Sequence, residues 1–96
     1  MAVTFTISTE YPQAEVLETL AEAVRNQVAL ARARFEQFAE ECRGFEKQHG
    51  MQSAEFQRRF EAGELGDDAQ WFDWFAAKRG LDIWARKLKL LTEVRL

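Results

Sequence analysis

Two side chains in the sequence have the spacing of metal ligands, Glu46 and His49. A Glu-x-x-His pair lies on one side of a helix, and di-iron helical bundles combine two such pairs with single glutamates from two other helices. A symmetric oligomer could supply the second pair, so an oligomeric di-iron ferroxidase is one candidate function. The pair falls at a helix end and beside the apolar face, so we expect two solvated surface residues and no metal site.

The other chemistry-bearing patterns point away from catalysis. The sequence has no nucleophile elbow, phosphate-binding loop, dinucleotide-binding glycine pattern or zinc motif. The single cysteine, Cys42, falls among regularly spaced apolar residues, so we expect a small core residue rather than a nucleophile. We predict a protein that is not an enzyme, with no catalytic residue and no cofactor. One cysteine cannot form an internal disulfide, which favours a reducing, cytoplasmic location.

The first residues predict a short strand. Residues 3–7 alternate apolar and polar side chains and are rich in β-branched types. One strand is not stable alone, so it must pair with a second copy, pair with a partner protein, or lie on a helix. A DNA-binding ribbon is a further alternative. The segment has no basic residue and the pI is near 5.2, so nucleic-acid binding by this chain alone is not favoured.

The rest of the chain predicts three helices within one domain, residues 1–96. Residues 12–48 contain only one proline, at their start, and are rich in helix formers, which predicts a long helix. Residues 53–62 predict a short helix and residues 68–95 a second long one. No apolar run approaches the roughly 20 residues that cross a bilayer, so no membrane partner is expected.

Small and polar residues mark the expected helix ends. Gly50 suits the left-handed position after the first helix. Ser53 is expected to cap the short helix, and Asp67 or Asp68 the third. Gly80 lies inside the third helix at a cost of roughly 1 kcal/mol relative to alanine, which indicates either a close helix approach or a kink.

The strongest periodic signal is a heptad seam on each long helix, because apolar residues recur in alternating steps of three and four. On the first helix these residues are Leu17, Ala21, Val24, Val28, Ala31, Phe35, Phe38, Cys42 and Phe45. On the third helix they are Trp74, Ala77, Leu81, Trp84, Leu88 and Leu91. Large apolar residues of the third helix also lie outside its seam and need a second packing surface: Trp71, Phe72, Phe75, Ile83 and Leu90.

Helix length indicates the architecture. A helix as long as the first extends about 54 Å, whereas a compact chain of this size has a radius of gyration of roughly 12–13 Å. The sequence therefore predicts an all-α fold in which a long, a short and a long helix form an elongated hairpin that dimerises into a bundle, with a short N-terminal β-strand. We assign the dimer seam to Val24, Val28, Phe35, Phe38, Phe45, Leu81, Trp84 and Leu88.

Charge is unevenly distributed. Residues 51–77 carry two basic and six acidic side chains, and residues 78–96 carry six basic and two acidic side chains. The acidic residues lie near the N-terminus of the third helix and the basic residues near its C-terminus. This distribution favours stabilisation of the helix by its dipole. A basic docking surface for an acidic partner or RNA is the alternative.

One motif resembles a known family. It comprises His-Gly-Met-Gln-Ser-Ala-Glu-Phe at residues 49–56, Phe-Glu-Ala-Gly-Glu-Leu-Gly-Asp-Asp at 60–68 and Trp-Phe-Asp-Trp at 71–74. The motif is similar to that of small prokaryotic antitoxin-like helical proteins, which are encoded beside a TumE-like or other ribonuclease-type toxin. His49 replaces the usual aromatic residue, Gln52 replaces serine and Asp73 replaces glutamate.

The resemblance implies a non-catalytic antitoxin-like protein that binds and neutralises a cognate protein toxin. The long hairpin and its apolar surface separately predict a homodimer or higher homo-oligomer. The resemblance places the partner-binding or fold-defining residues at Phe56, Phe60, Leu65, Asp67, Asp68, Trp71 and Trp74. The motif also has a purely structural interpretation as a helix stop, a turn and a helix start. A self-assembling scaffold or adaptor without a toxin is therefore the alternative function.

Overall fold

A computed structural model describes residues 2–96. It contains three helices, α1 (Gln13–His49), α2 (Ser53–Glu61) and α3 (Ala69–Thr92). The predicted all-α order of a long, a short and a long helix is confirmed. Within the described residues, none of the helices combines the length and the apolarity that crossing a bilayer requires.

The two long helices pack side by side as an antiparallel hairpin. Going along α3, Trp71 contacts His49, Trp74 stacks on Phe45, and Gly80 lies against Phe38, so α3 runs back along α1. The molecule measures 58 × 24 × 20 Å and has a radius of gyration of 18.9 Å. That radius far exceeds the roughly 12–13 Å of a compact domain of this length, because one 37-residue helix sets the long dimension.

Both heptad seams lie along the protected side of their helices. Every seam residue is buried or half-buried, and the buried apolar residues in the described part of the chain are Ala31, Cys42, Phe56, Trp74 and Ala77. The residues assigned to a dimer seam are all half-buried in the single chain: Val24, Val28, Phe35, Phe38, Phe45, Leu81, Trp84 and Leu88. A dimer through this seam stays a prediction.

The helix ends agree with the sequence at two places and differ at one. Gly50 ends α1 in a left-handed conformation, and its N–H donates to the Glu46 carbonyl at 2.8 Å. The Asp68 carboxylate caps α3 by accepting from the Gln70 N–H at 3.0 Å. The predicted Ser53 cap is wrong, because Gln52 holds the cap position and Ser53 is the first residue of α2. Its side chain instead turns inward, as described below.

The N-terminal strand does not form in the single chain. Residues 2–12 have no regular secondary structure, and the described part of the chain contains no strand. A strand at residues 3–7 would leave its backbone groups without a ladder, because nothing extended lies beside it. Pairing with a second chain stays a prediction.

Of the two alternatives for Gly80, a close helix approach and a kink, the structure shows the close approach. A Cβ atom built on Gly80 would lie 2.7 Å from the Phe38 ring, well inside van der Waals contact. Gly44, inside α1 near its C-terminal end, has nothing within 4 Å of such an atom. The two glycines therefore occupy the same kind of helix under opposite packing constraints.

We expect Gly80→Ala and Gly44→Ala to change stability in opposite directions. Overpacking against Phe38 outweighs the gain in helix propensity, so Gly80→Ala lowers the free energy of unfolding by about 1–2 kcal/mol. Gly44→Ala raises it by up to about 1 kcal/mol, because only the propensity term changes. Urea unfolding followed by circular dichroism measures both. A Gly80→Ala variant as stable as Gly44→Ala would show that the helices do not approach closely there.

Candidate functional site

The motif residues form an aromatic cluster at the end of the molecule where α2 joins the two long helices, which we call the loop end. α1 contributes two rings, α2 two and α3 four. The members of the aromatic cluster are Phe45, His49, Phe56, Phe60, Trp71, Phe72, Trp74 and Phe75.

Trp74 is the centre of the aromatic cluster and has no exposed surface. Three rings stack near-parallel to it, with ring-centroid distances of 4.0 Å to Phe56, 5.3 Å to His49 and 5.6 Å to Phe45. Its indole N–H donates to the Ser53 hydroxyl at 3.0 Å. The stacking therefore joins all three helices, and the hydrogen bond fixes the orientation of the indole.

Ser53 and Glu46 extend this connection to α1. The Ser53 backbone N–H donates to the Glu46 carboxylate at 2.8 Å. α2 has no side-chain cap from Gln52, so a carboxylate from the preceding helix satisfies one of its free N–H groups. A negative charge at a helix N-terminus is also favoured by the helix dipole. Glu46 thus holds the start of α2 in place against the end of α1.

The interpretation of Glu46 and His49 as solvated surface residues is wrong, because both are half-buried. His49 lies between two indoles, with centroid distances of 4.8 Å to Trp71 and 5.3 Å to Trp74. Its Nε2 atom is buried and has no hydrogen-bond partner among the described residues. Residues 2–96 of one chain hold no group of three His, Cys, Asp or Glu side chains that could bind a metal.

Cys42 lies in the core beside the aromatic cluster and is 3% exposed. Burial raises the pKa of its thiol, and the hydrogen bond with Ser53 offsets only part of that effect. A raised pKa lowers the thiolate fraction, and only the thiolate is a good nucleophile. This geometry agrees with the predicted core role.

The outer face of α2 carries a solvated charge network. Hydrogen bonds from Arg58 and Arg59 lower the pKa of the Glu55 carboxyl to about 2, and the bond from Arg58 has the larger effect. Arg59 Nε lies 2.9 Å from Glu55 Oε1, and Arg58 Nη2 lies 2.8 Å from the same atom. The network is exposed, so its contribution to stability is small. It keeps Glu55 ionised throughout the physiological pH range.

The turn between α2 and α3 accounts for the central part of the motif. Gly63 and Gly66 have φ angles of 74° and 79°, which strongly favour glycine. The Glu64 N–H donates to the Arg59 carbonyl at 3.0 Å, which closes the end of α2. Leu65, between the glycines, is half-buried. Each of these residues therefore has a role in folding without any ligand.

The structure separates the seven residues assigned to partner binding into three groups. Phe56 and Trp74 have no exposed surface, so a partner cannot touch them while the aromatic cluster is intact. Asp67 and Asp68 are exposed. The remaining three are half-buried: Phe60, Leu65 and Trp71.

Sequence reasoning missed two residues that the structure brings to this surface. Phe72 is 53% exposed and meets Phe60 edge to face at 5.3 Å. Asp73 follows it and is exposed. The available signal was the position of Phe72 outside the heptad seam of α3. Ser53 and Glu46 were missed as a connected pair, because local capping rules give no information about contacts between helices.

We expect Ser53→Ala to destabilise the fold by about 1–3 kcal/mol, because the buried Trp74 indole N–H loses its acceptor. Ser8→Ala is the matched control, since Ser8 is exposed and outside the helices. The difference in free energy of unfolding, measured by tryptophan fluorescence in urea, checks this. Equal stabilities of the two variants would show that the hydrogen bond contributes nothing.

Searches with the chain found no matching family model, no matching curated protein and no matching solved structure. The family resemblance therefore depends on the motif alone, within about residues 46–78. In the structure that motif corresponds to the aromatic cluster, the turn with two left-handed glycines and the cap of α3.

Proposed function

We propose that the chain is a non-catalytic antitoxin-like protein that binds and neutralises a cognate toxin through its loop end. The observation that carries the proposal is the exposure of Phe72 on an acidic surface. Asp68 lies one helical turn before Phe72, and Asp73 is next in sequence. Phe72 is about half exposed although the neighbouring rings Trp71, Trp74 and Phe75 are buried or half-buried.

The charge of the loop end favours a basic partner. Residues 51–77 carry six acidic and two basic side chains, and both of those basic residues are already paired with Glu55. A ribonuclease-type toxin must attract RNA phosphates and so presents a basic surface. An exposed aromatic residue within an acidic segment suits such a surface, because the ring anchors the contact and the charges steer it.

The proposal divides the motif between folding and recognition. Phe56, Trp74 and Ser53 hold the aromatic cluster together, whereas Phe72, Asp67 and Asp73 are the partner-facing residues. The toxin pair is expected to act in the cytoplasm, where a single cysteine stays reduced.

The test is co-expression with the protein encoded by the adjacent reading frame. Growth arrest by the neighbour, relief of arrest by this chain and co-purification of the two proteins are the expected results. Phe72→Ala combined with Asp67→Asn and Asp73→Asn is expected to weaken binding by at least about tenfold. Ile83→Ala is the control, because Ile83 is also a half-exposed apolar residue of α3 but lies outside the loop end.

Unchanged helix content by circular dichroism must accompany the loss of binding, which separates recognition from folding. A neighbour that causes no arrest, or an arrest that this chain does not relieve, would contradict the antitoxin proposal. Equal effects of the Phe72 and Ile83 variants would contradict the loop-end surface.

One observation favours the second candidate function, a self-assembling scaffold or adaptor without a toxin. Phe56 and Trp74 are already fully buried within one chain, so the motif is satisfied without a partner. The scaffold alternative requires a stable homo-oligomer and no effect on growth of the adjacent protein. A monomer by light scattering would exclude it.

A further inference from the structure

The opposite end of the molecule has a large apolar surface that the loop-end proposal does not use. We call it the open end, formed by residues 2–24 and 86–96. Among the described residues, most large apolar side chains with high exposure lie here. They are Val3, Phe5, Ile7, Tyr11, Leu20, Leu90, Val94 and Leu96.

These side chains form one continuous surface, because the N-terminal arm, residues 2–12, links the two long helices. One shallow groove lies between the arm and the start of α1 and is lined by Phe5, Ile7, Val16 and others. A second groove lies between the arm and the end of α3 and is lined by Phe5 and Leu90 among others. Phe5 borders both grooves and is still 83% exposed.

The exposed area is larger than one chain of this mass should have. The chain exposes 7506 Å², whereas a compact 11.2 kDa monomer exposes about 5,700 Å². The excess of about 1,800 Å² exceeds the roughly 800 Å² that each partner contributes to a stable interface. The elongated chain therefore has enough surplus surface for an interface with one second copy.

The open end also carries complementary charges on its two helices. Residues 2–24 contain four glutamates and no lysine or arginine, whereas residues 86–96 contain four basic side chains and one acidic side chain. Within the described part of the chain, no ion pair joins these two segments. In a two-fold dimer the acidic start of α1 in each copy faces the basic end of α3 in the other copy. This favourable contact therefore occurs twice.

The backbone of the arm is available for the same contact. Among the described residues, the arm's N–H groups make a single hydrogen bond, from Tyr11 to the Thr9 hydroxyl at 3.2 Å. Val3, Phe5 and Ile7 alternate with threonines, as in a half-buried strand. A second copy at the open end would bring a second arm, which offers the ladder that one chain lacks.

We propose that the open end is a homodimer interface, in which the acidic start of α1 of one copy lies against the basic end of α3 of the other. This interface differs from the heptad seam, which the hairpin already covers in part. It does not depend on the toxin proposal, because it uses neither Phe72 nor the acidic residues of the loop end.

A charge-exchange experiment tests the proposal. The acid-reversed variant carries Glu18→Lys and Glu22→Lys, and the base-reversed variant carries Arg86→Glu and Lys89→Glu; all four residues are exposed and outside the ion pairs of the chain. The wild-type chain is expected to sediment at twice 11.2 kDa at micromolar concentration. Each variant alone is expected to dimerise at least about tenfold more weakly, and their equimolar mixture to recover dimers within about threefold of wild type.

The equimolar mixture is the decisive measurement. Only a contact between the start of α1 in one variant and the end of α3 in the other restores opposite charges across the interface. A wild-type monomer, a single variant that dimerises like wild type, or a mixture no better than its components would overturn the proposal. Phe5→Ser covers the case in which a charge variant misfolds, since Phe5 lies outside every helix. It is expected to lose the dimer while Phe72→Ala keeps it, and loss of both or of neither also contradicts the proposal.

Discussion

The hydrogen bond from the Trp74 indole to the Ser53 hydroxyl lies at the point on which the rest of the structure depends. A long hairpin of two helices has a thin core, and only a few side chains among residues 2–96 are buried. The aromatic cluster compensates by stacking rings from all three helices on one indole. The Glu46 carboxylate then connects the start of α2 to α1 through a hydrogen bond, so the short helix stabilises the closed end of the hairpin.

This arrangement gives the two ends of the molecule different physical properties. At the loop end, aromatic side chains are packed and the remaining surface is acidic, with Phe72 as the exposed ring. At the open end, the helices are covered only by an arm without secondary structure, and large apolar residues meet solvent. The first end suits recognition of a basic protein, and the second suits burial against another copy.

Local patterns in the sequence were sufficient for much of this fold. The alternating three- and four-residue steps predicted the long helices, and Asp67 or Asp68 was the expected start of α3, which the structure assigns to Asp68. Gly80 indicated a close helix approach or a kink, and the structure shows a close approach to Phe38. Ser53, Glu46 and His49 could not be assigned in this way. Their roles depend on contacts with another helix, and rules for capping or ligand spacing describe only neighbours along one helix. The arm was ambiguous for a related reason, because a strand forms only where a second strand is present.

The central claim is that Trp74 and the rings stacked on it form the structural core of the protein and that only the exposed motif residues are left for binding. Hydrogen exchange of the Trp74 indole N–H, followed by NMR in the free protein, tests this claim most directly. The account predicts that this proton exchanges only through global unfolding, with a protection free energy equal to the unfolding free energy from urea. Exchange through a local opening, as fast as that of the half-buried indoles of Trp71 and Trp84, would contradict it.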